Sequence, residues 1–155
     1  MASRRTFAQV RYSPPASATE IVLVRHGETV VAEEDRSFAL LDGHGDPELA
    51  TAGLDQAKRV AERLAPTRVD AIYVTPLRRT AETAGPLADQ LGLDPIVEPD
   101  LREVHLGTWE GGLYRQKVLE NDPVAREMVA RRRWDVIPGA ESNEAFAARL
   151  ARGIG

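Results

Sequence analysis

The sequence predicts an α/β fold, a three-layer α/β/α sandwich with a mostly parallel central sheet, and three observations predict it. Short runs of β-prone apolar residues recur at 21–24, 69–74 and 96–97. Segments with helical spacing of their apolar residues lie between and after them. Strands that alternate with helices place helices on both faces of a largely parallel sheet.

Ile21, Val22, Leu23 and Val24 form the first predicted strand, apolar without alternation as a strand buried on both faces requires. A helix is predicted over 52–65, with Leu54, Ala57, Ala61 and Leu64 at helical spacing and Pro66 as its stop. The next strand, 69–74, leads to Thr75, an N-cap for a helix with Pro76 in its first turn. That helix carries Leu77, Ala81, Ala84, Ala88 and Leu91 on one face and ends at Gly92. Residues 96–97 form a short strand. Asp122 and Pro123 open a helix to about Arg133, and Ser142 caps a last one with Phe146 and Leu150 a turn apart.

The 155 residues suit one domain with a core of its own. A net charge of −4 with interspersed signs gives no nucleic-acid footprint. The sequence contains no cysteine, which excludes disulfide and thiol chemistry. It also has no apolar run of membrane-spanning length. Residues 1–19, with Arg4, Arg5 and Arg11 but no apolar stretch, are expected to form a flexible N-terminal extension and not a secretory signal. The folded domain is expected over 20–155, and the protein is expected in the cytoplasm.

Chemistry concentrates after the strands. Arg25, His26, Gly27, Glu28 and Thr29 follow the first strand directly, at the sheet edge where open α/β folds bind ligands. A guanidinium forks onto phosphate oxygens. An imidazole serves as nucleophile or acid-base, and glycine admits a close backbone approach. A second segment, Thr75-Pro76-Leu77-Arg78-Arg79-Thr80-Ala81-Glu82-Thr83-Ala84, follows the second strand. A third, Leu101-Arg102-Glu103-Val104-His105-Leu106-Gly107-Thr108-Trp109-Glu110-Gly111, follows the short one. Asp46-Pro47-Glu48-Leu49 leads to Gly53, Gln56 and Ala57.

In this order and spacing the four segments resemble the histidine phosphatase superfamily, the phosphoglycerate mutase-like proteins, from about Ile21 to Arg149. The resemblance implies that His26 accepts a phosphoryl group on a ring nitrogen, with a backbone carbonyl holding its tautomer. It implies that Arg25 and Arg79 clamp the phosphate, with Arg78 at a variable position, and that Gly27 and Thr29 also face it. The helix N-terminus near Thr75 is expected to favour the anion as well. Glu103 is implied as the acid that protonates the leaving oxygen. Leu101, Val104 and Leu106 suggest partial burial for it, and the acid must hold its proton by burial or through the negative phosphate. Glu28 is expected to be structural, His105 to lie outside the chemistry and His44 to sit in a mobile loop. Trp109 and Trp134 are expected to pack, and Arg131, Arg132 and Arg133 to form a solvated face. Neither cofactor nor metal is implied, and no histidine pair has metal-ligand spacing. The expected partner is a small phosphorylated metabolite, with phosphate or sulfate as pocket ligand. Nucleic acid and membrane are excluded, and a homodimer is admitted.

The sequence departs from the resemblance in two places. A second pocket histidine is expected in a His-Gly pair after a C-terminal strand, yet no histidine follows His105. The chain is therefore expected to be C-terminally incomplete, with an intact short pseudoenzyme, or a gap filled by another chain, as the alternatives. Ala32 stands where asparagine is common, beside the acidic Glu33, Glu34 and Asp35. The short spacing from Glu103 to Glu141 favours a phosphomonoester hydrolase over a phosphoglycerate mutase. A catalytically impaired phosphate-binding module is the third reading.

Overall fold

The computed structural model describes Pro15 and residues 17–155. The predicted extension over 1–19 therefore lies almost wholly outside the described residues. Among the described residues nine helices and strands follow one another: β1 (Leu40–Leu41), β2 (His44–Gly45), α1 (Thr51–Leu64), β3 (Tyr73–Val74), α2 (Arg78–Leu91), β4 (Ile96–Val97), α3 (Leu113–Leu119), α4 (Pro123–Arg131) and α5 (Asn143–Ile154). Single 3₁₀ turns sit at Pro99–Leu101, Gly107–Trp109 and Trp134–Val136.

Helices and strands are both present, as an α/β chain requires, but the strands are short. Among the described residues, β3 and β4 pair in parallel and β1 and β2 pair antiparallel, each as a two-stranded ladder. The predicted strand 69–74 narrows to Tyr73–Val74, because its ladder partner is only the two residues Ile96–Val97. Residues 21–24 form no ladder among the described residues, and Leu23 is 91% exposed. A β-prone sequence takes strand form only where a partner meets its backbone groups. A 490 Å3 cleft separates this segment from α1, with Val22, Val24, Val60 and Leu64 in its walls.

α1 and α2 pack on each other through narrow stripes. The buried residues are Gly53, Ala57 and Ala61 on α1 and Thr83, Leu87 and Ala88 on α2. The predicted stripe is thus displaced: Leu54 is exposed, and Thr83 and Leu87 take the place of Ala81 and Ala84. α2 also begins later than predicted. Thr75 is not its cap; Leu77 holds that position, and the Asp46 carboxylate accepts the Arg78 N–H at 2.7 Å. Gly92 closes the helix in the left-handed conformation, φ 65°. Asp122 and Ser142 cap α4 and α5 as predicted, accepting from Val124 (2.8 Å) and Ala145 (3.1 Å).

The main core cluster joins Trp109, Ala125, Met128 and Ile137, with Tyr114 and Trp134 packed against it. Both tryptophans therefore pack, as expected. Gly107 (φ 58°) lets the turn before Trp109 lie on residues 138–140, where a Cβ would collide with the Pro138 carbonyl. Of the arginine run at the end of α4, Arg131 and Arg132 are exposed, as a solvated face requires, and Arg133 is engaged. Arg133 pairs with both Asp135 (2.7 Å) and Glu144 (2.9 Å).

Candidate active site

The segment carrying His26 is held by its neighbours on both sides. The Gly27 N–H donates to Thr83 Oγ1 at 3.0 Å, and that hydroxyl donates to the Arg79 carbonyl at 2.7 Å. One threonine therefore ties the His26 segment to the first turn of α2. The Glu28 N–H donates to Gln56 Oε1 (2.8 Å), and its carbonyl accepts the Ala50 N–H (2.9 Å). Glu28 is thus anchored through its backbone. Gly53 makes this junction possible, since a Cβ there would collide with the Glu28 carbonyl.

His26 is half-buried, and its Nδ1 lies 2.7 Å from the Gly27 carbonyl. A carbonyl only accepts, so Nδ1 carries the proton and Nε2 keeps its lone pair. Burial holds the imidazole pKa below its ordinary 6.5. Arg79 and Arg25 push the same way, and the Gly27 carbonyl and Glu103 oppose them. Arg25, Arg79 and Glu103 thus lie near enough for their charges to act on the His26 ring.

Arg79 is half-buried and donates to the Gly45 carbonyl at 2.8 Å. The tight turn at Asp42 (φ 47°) and Gly43 (φ 82°) presents that carbonyl. The Gly45 N–H is held by Glu110 Oε2 at 2.7 Å, and Glu110 Oε1 accepts the Leu106 N–H at 2.8 Å. Arg79 does not pair with Glu82. Arg78 takes that carboxylate (2.5 Å), together with Glu48 (2.6 Å), which leaves Arg79 to the site.

Several expectations change. The Arg78 N–H at the start of α2 is occupied by Asp46, so this helix end does not present it to an anion. Glu103 is exposed, not partly buried, and its Oε1 accepts the Val104 N–H at 3.0 Å. Arg25 is exposed and borders the cleft beside α1. The close approach at Gly27 is to the Gly53 carbonyl, 2.6 Å from a built Cβ. The Thr29 hydroxyl accepts from Arg115 Nη2 at 2.5 Å. His44 is not in an open loop: it is buried on β2, edge-on to His105 at 5.0 Å between ring centroids. Among the described residues no three His, Asp or Glu side chains form a metal-holding group. No helix among them is long and apolar enough to cross a membrane.

Sequence reading missed Arg115. It reaches from α3 to the Val30 carbonyl (2.9 Å) and Thr29, and lies 5.4 Å from the centre of the Phe38 ring. Its charge also acts on Arg79. No sequence signal marks it, because α3 itself was not predicted.

Known proteins share this arrangement of segments. The chain is 42% identical over 123 residues to phosphoglycerate mutase-like protein 4 of Arabidopsis thaliana, covering 77% of this chain and 51% of that protein. It is 37% identical over 138 residues to a metal-independent phosphoserine phosphatase of the same plant, covering 86% and 56%. Among solved structures, the mycobacterial glucosyl-3-phosphoglycerate phosphatase in complex with inorganic phosphate matches with a TM-score of 0.64 and 35% identity, covering 83% of this chain and 57% of that one. The chain thus spans about half the length of these proteins. The sequence profile described as "Histidine phosphatase superfamily (branch 1)" matches residues 21–155, which include His26, Arg79, Glu103 and Glu141, and the chain therefore belongs to the histidine phosphatase superfamily.

Proposed function

We propose that the protein hydrolyses phosphate monoesters through a phosphohistidine on His26. The observation that carries this reading is the His26 ring itself. Its Nδ1–H is tied to the Gly27 carbonyl, so the Nε2 lone pair is available while Arg25, Arg79 and Glu103 act on the ring. In the first step Nε2 attacks phosphorus, the ester P–O bond breaks, and protonated Glu103 gives its proton to the leaving oxygen. In the second step water attacks the phosphohistidine, Glu103 takes the proton, and phosphate leaves. Arg25 and Arg79 offset the charge on the equatorial oxygens. The phosphoserine and glucosyl-3-phosphoglycerate phosphatases among its relatives favour a small phosphorylated metabolite as substrate.

The same reading assigns 20–155 to one catalytic domain and gives residues 21–24 a place in a mostly parallel sheet, since their sequence is that of a buried strand.

A mutase is the second reading, favoured by the 42% identity to a phosphoglycerate mutase-like protein. Incubation with a panel of phosphate monoesters and separately with 3-phosphoglycerate decides between them. Phosphate release from several esters supports the hydrolase. Rapid interconversion of 2- and 3-phosphoglycerate with little free phosphate overturns it.

A further inference from the structure

The residue proposed as leaving-group acid lies outside any helix or strand of its own. Glu103 lies between the 3₁₀ turns at Pro99–Leu101 and Gly107–Trp109, and among the described residues its carboxylate meets only the next residue's N–H, at 3.0 Å. Its aim therefore depends on how the main chain from Asp100 to His105 is held. Arg149, on α5, does the holding. Its Nη1 donates to the carbonyls of Asp100 (2.7 Å) and Arg102 (3.0 Å), and its Nη2 to that of Glu103 (3.3 Å).

The guanidinium is itself fixed. Glu141 grips it in a fork, Nε to Oε1 at 3.0 Å and Nη2 to Oε2 at 2.7 Å, and the Phe146 ring lies 5.2 Å from it. Both side chains are nearly covered, at 13% and 16% exposure, so water screens the pair little. Glu141 also clasps the far end of the segment. Its N–H donates to the His105 carbonyl (2.9 Å), and its Oε2 faces the His105 N–H at 3.4 Å. A lysine could keep the charge at position 149 but not a planar fork that meets three carbonyls and a carboxylate together.

We propose that Arg149, braced by Glu141, is the positioning residue that aims Glu103 at the leaving oxygen. This rests on the phosphatase reading. The consequence is selective. A misaimed acid slows esters whose leaving oxygen must be protonated, and spares esters whose leaving group departs as a stable anion.

The test measures kcat/KM for phenyl phosphate and for 2,4-dinitrophenyl phosphate in the wild type, His26→Ala, Glu103→Gln, Arg149→Met, Arg149→Lys and Glu141→Gln. A misplaced catalytic group typically costs about a hundred-fold. Arg149→Met is therefore expected to lose about a hundred-fold on phenyl phosphate and less than about three-fold on the dinitrophenyl ester, the same pattern as Glu103→Gln. If Arg149→Met does not fold, as judged by circular dichroism, Arg149→Lys and Glu141→Gln are read for the same selectivity. Equal losses on both esters, or no loss on either, overturn the positioning role while leaving His26 chemistry standing. Wild-type hydrolysis that survives His26→Ala overturns the phosphatase reading and this role with it.

Discussion

At the scale of single residues, the His26 ring ties structure to chemistry. Its pKa lies below 6.5, chiefly through burial, so the neutral imidazole persists as the medium becomes mildly acidic. The acid limb of kcat/KM is therefore expected below pH 6.5. A pH–rate profile checks this, and a limb above 6.5 assigned to His26 contradicts it. Stability follows the same sign. The unfolded imidazole protonates near 6.5 and the folded one only lower, so stability present above 6.5 declines as pH falls toward the folded value. Thr83 is the second critical residue. Thr83→Val strips the partner from the buried Gly27 N–H and is expected to cost about 1–3 kcal/mol in denaturant unfolding. It is also expected to lower kcat, because it unties the His26 segment from the Arg79 turn. A variant as stable and active as wild type contradicts that role. The sequence marked His26, Arg79 and Glu103 because each stands in a compact motif. Arg115 and Thr83 escaped because they act across 86 and 56 positions of chain, a separation no local pattern reveals.

At the scale of elements, close packing of small residues matters more than large apolar faces. α1 lies against the His26 segment through Gly53 and against α2 through alanines. Gly53→Ala improves helix propensity by about 1 kcal/mol but drives a methyl into the Glu28 carbonyl. Net destabilisation of about 1–3 kcal/mol is expected by denaturant unfolding. An alanine variant more stable than wild type shows that the junction has room. Helix ends were legible because Asp122, Ser142 and Gly92 act locally through their own side chains or backbone freedom. The hairpin of β1 and β2 was not, since two-residue strands carry no periodicity, although Asp42-Gly43 is a turn signal. Residues 21–24 read as a strand because composition reports suitability for a sheet, whereas a ladder needs a partner.

At the scale of the whole molecule, in a chain of net charge −4 the charges of Arg25 and Arg79 act on the half-buried His26 ring, while Asp46, Glu103, Glu110 and Arg115 act on Arg79. Two guanidinium groups acting on one imidazole are expected to hold an oxyanion. Inorganic phosphate at about a hundred times its Kd stabilises a folded chain by about 2.7 kcal/mol. A melting temperature raised by several degrees is thus expected relative to chloride at equal ionic strength. Arg79→Ala is expected to abolish the shift, and an undiminished shift in that variant places the anion elsewhere.

Whether His26 carries the phosphoryl group is read from a covalent label. The protein is mixed with a phosphate monoester carrying labelled phosphorus, quenched in base and digested, and the phosphopeptide is sequenced by mass spectrometry. The prediction is an acid-labile, base-stable phosphoryl group on the peptide containing His26, absent in His26→Ala, which also loses at least about a thousand-fold in turnover. Label on another residue, or full turnover by a folded His26→Ala variant, contradicts it.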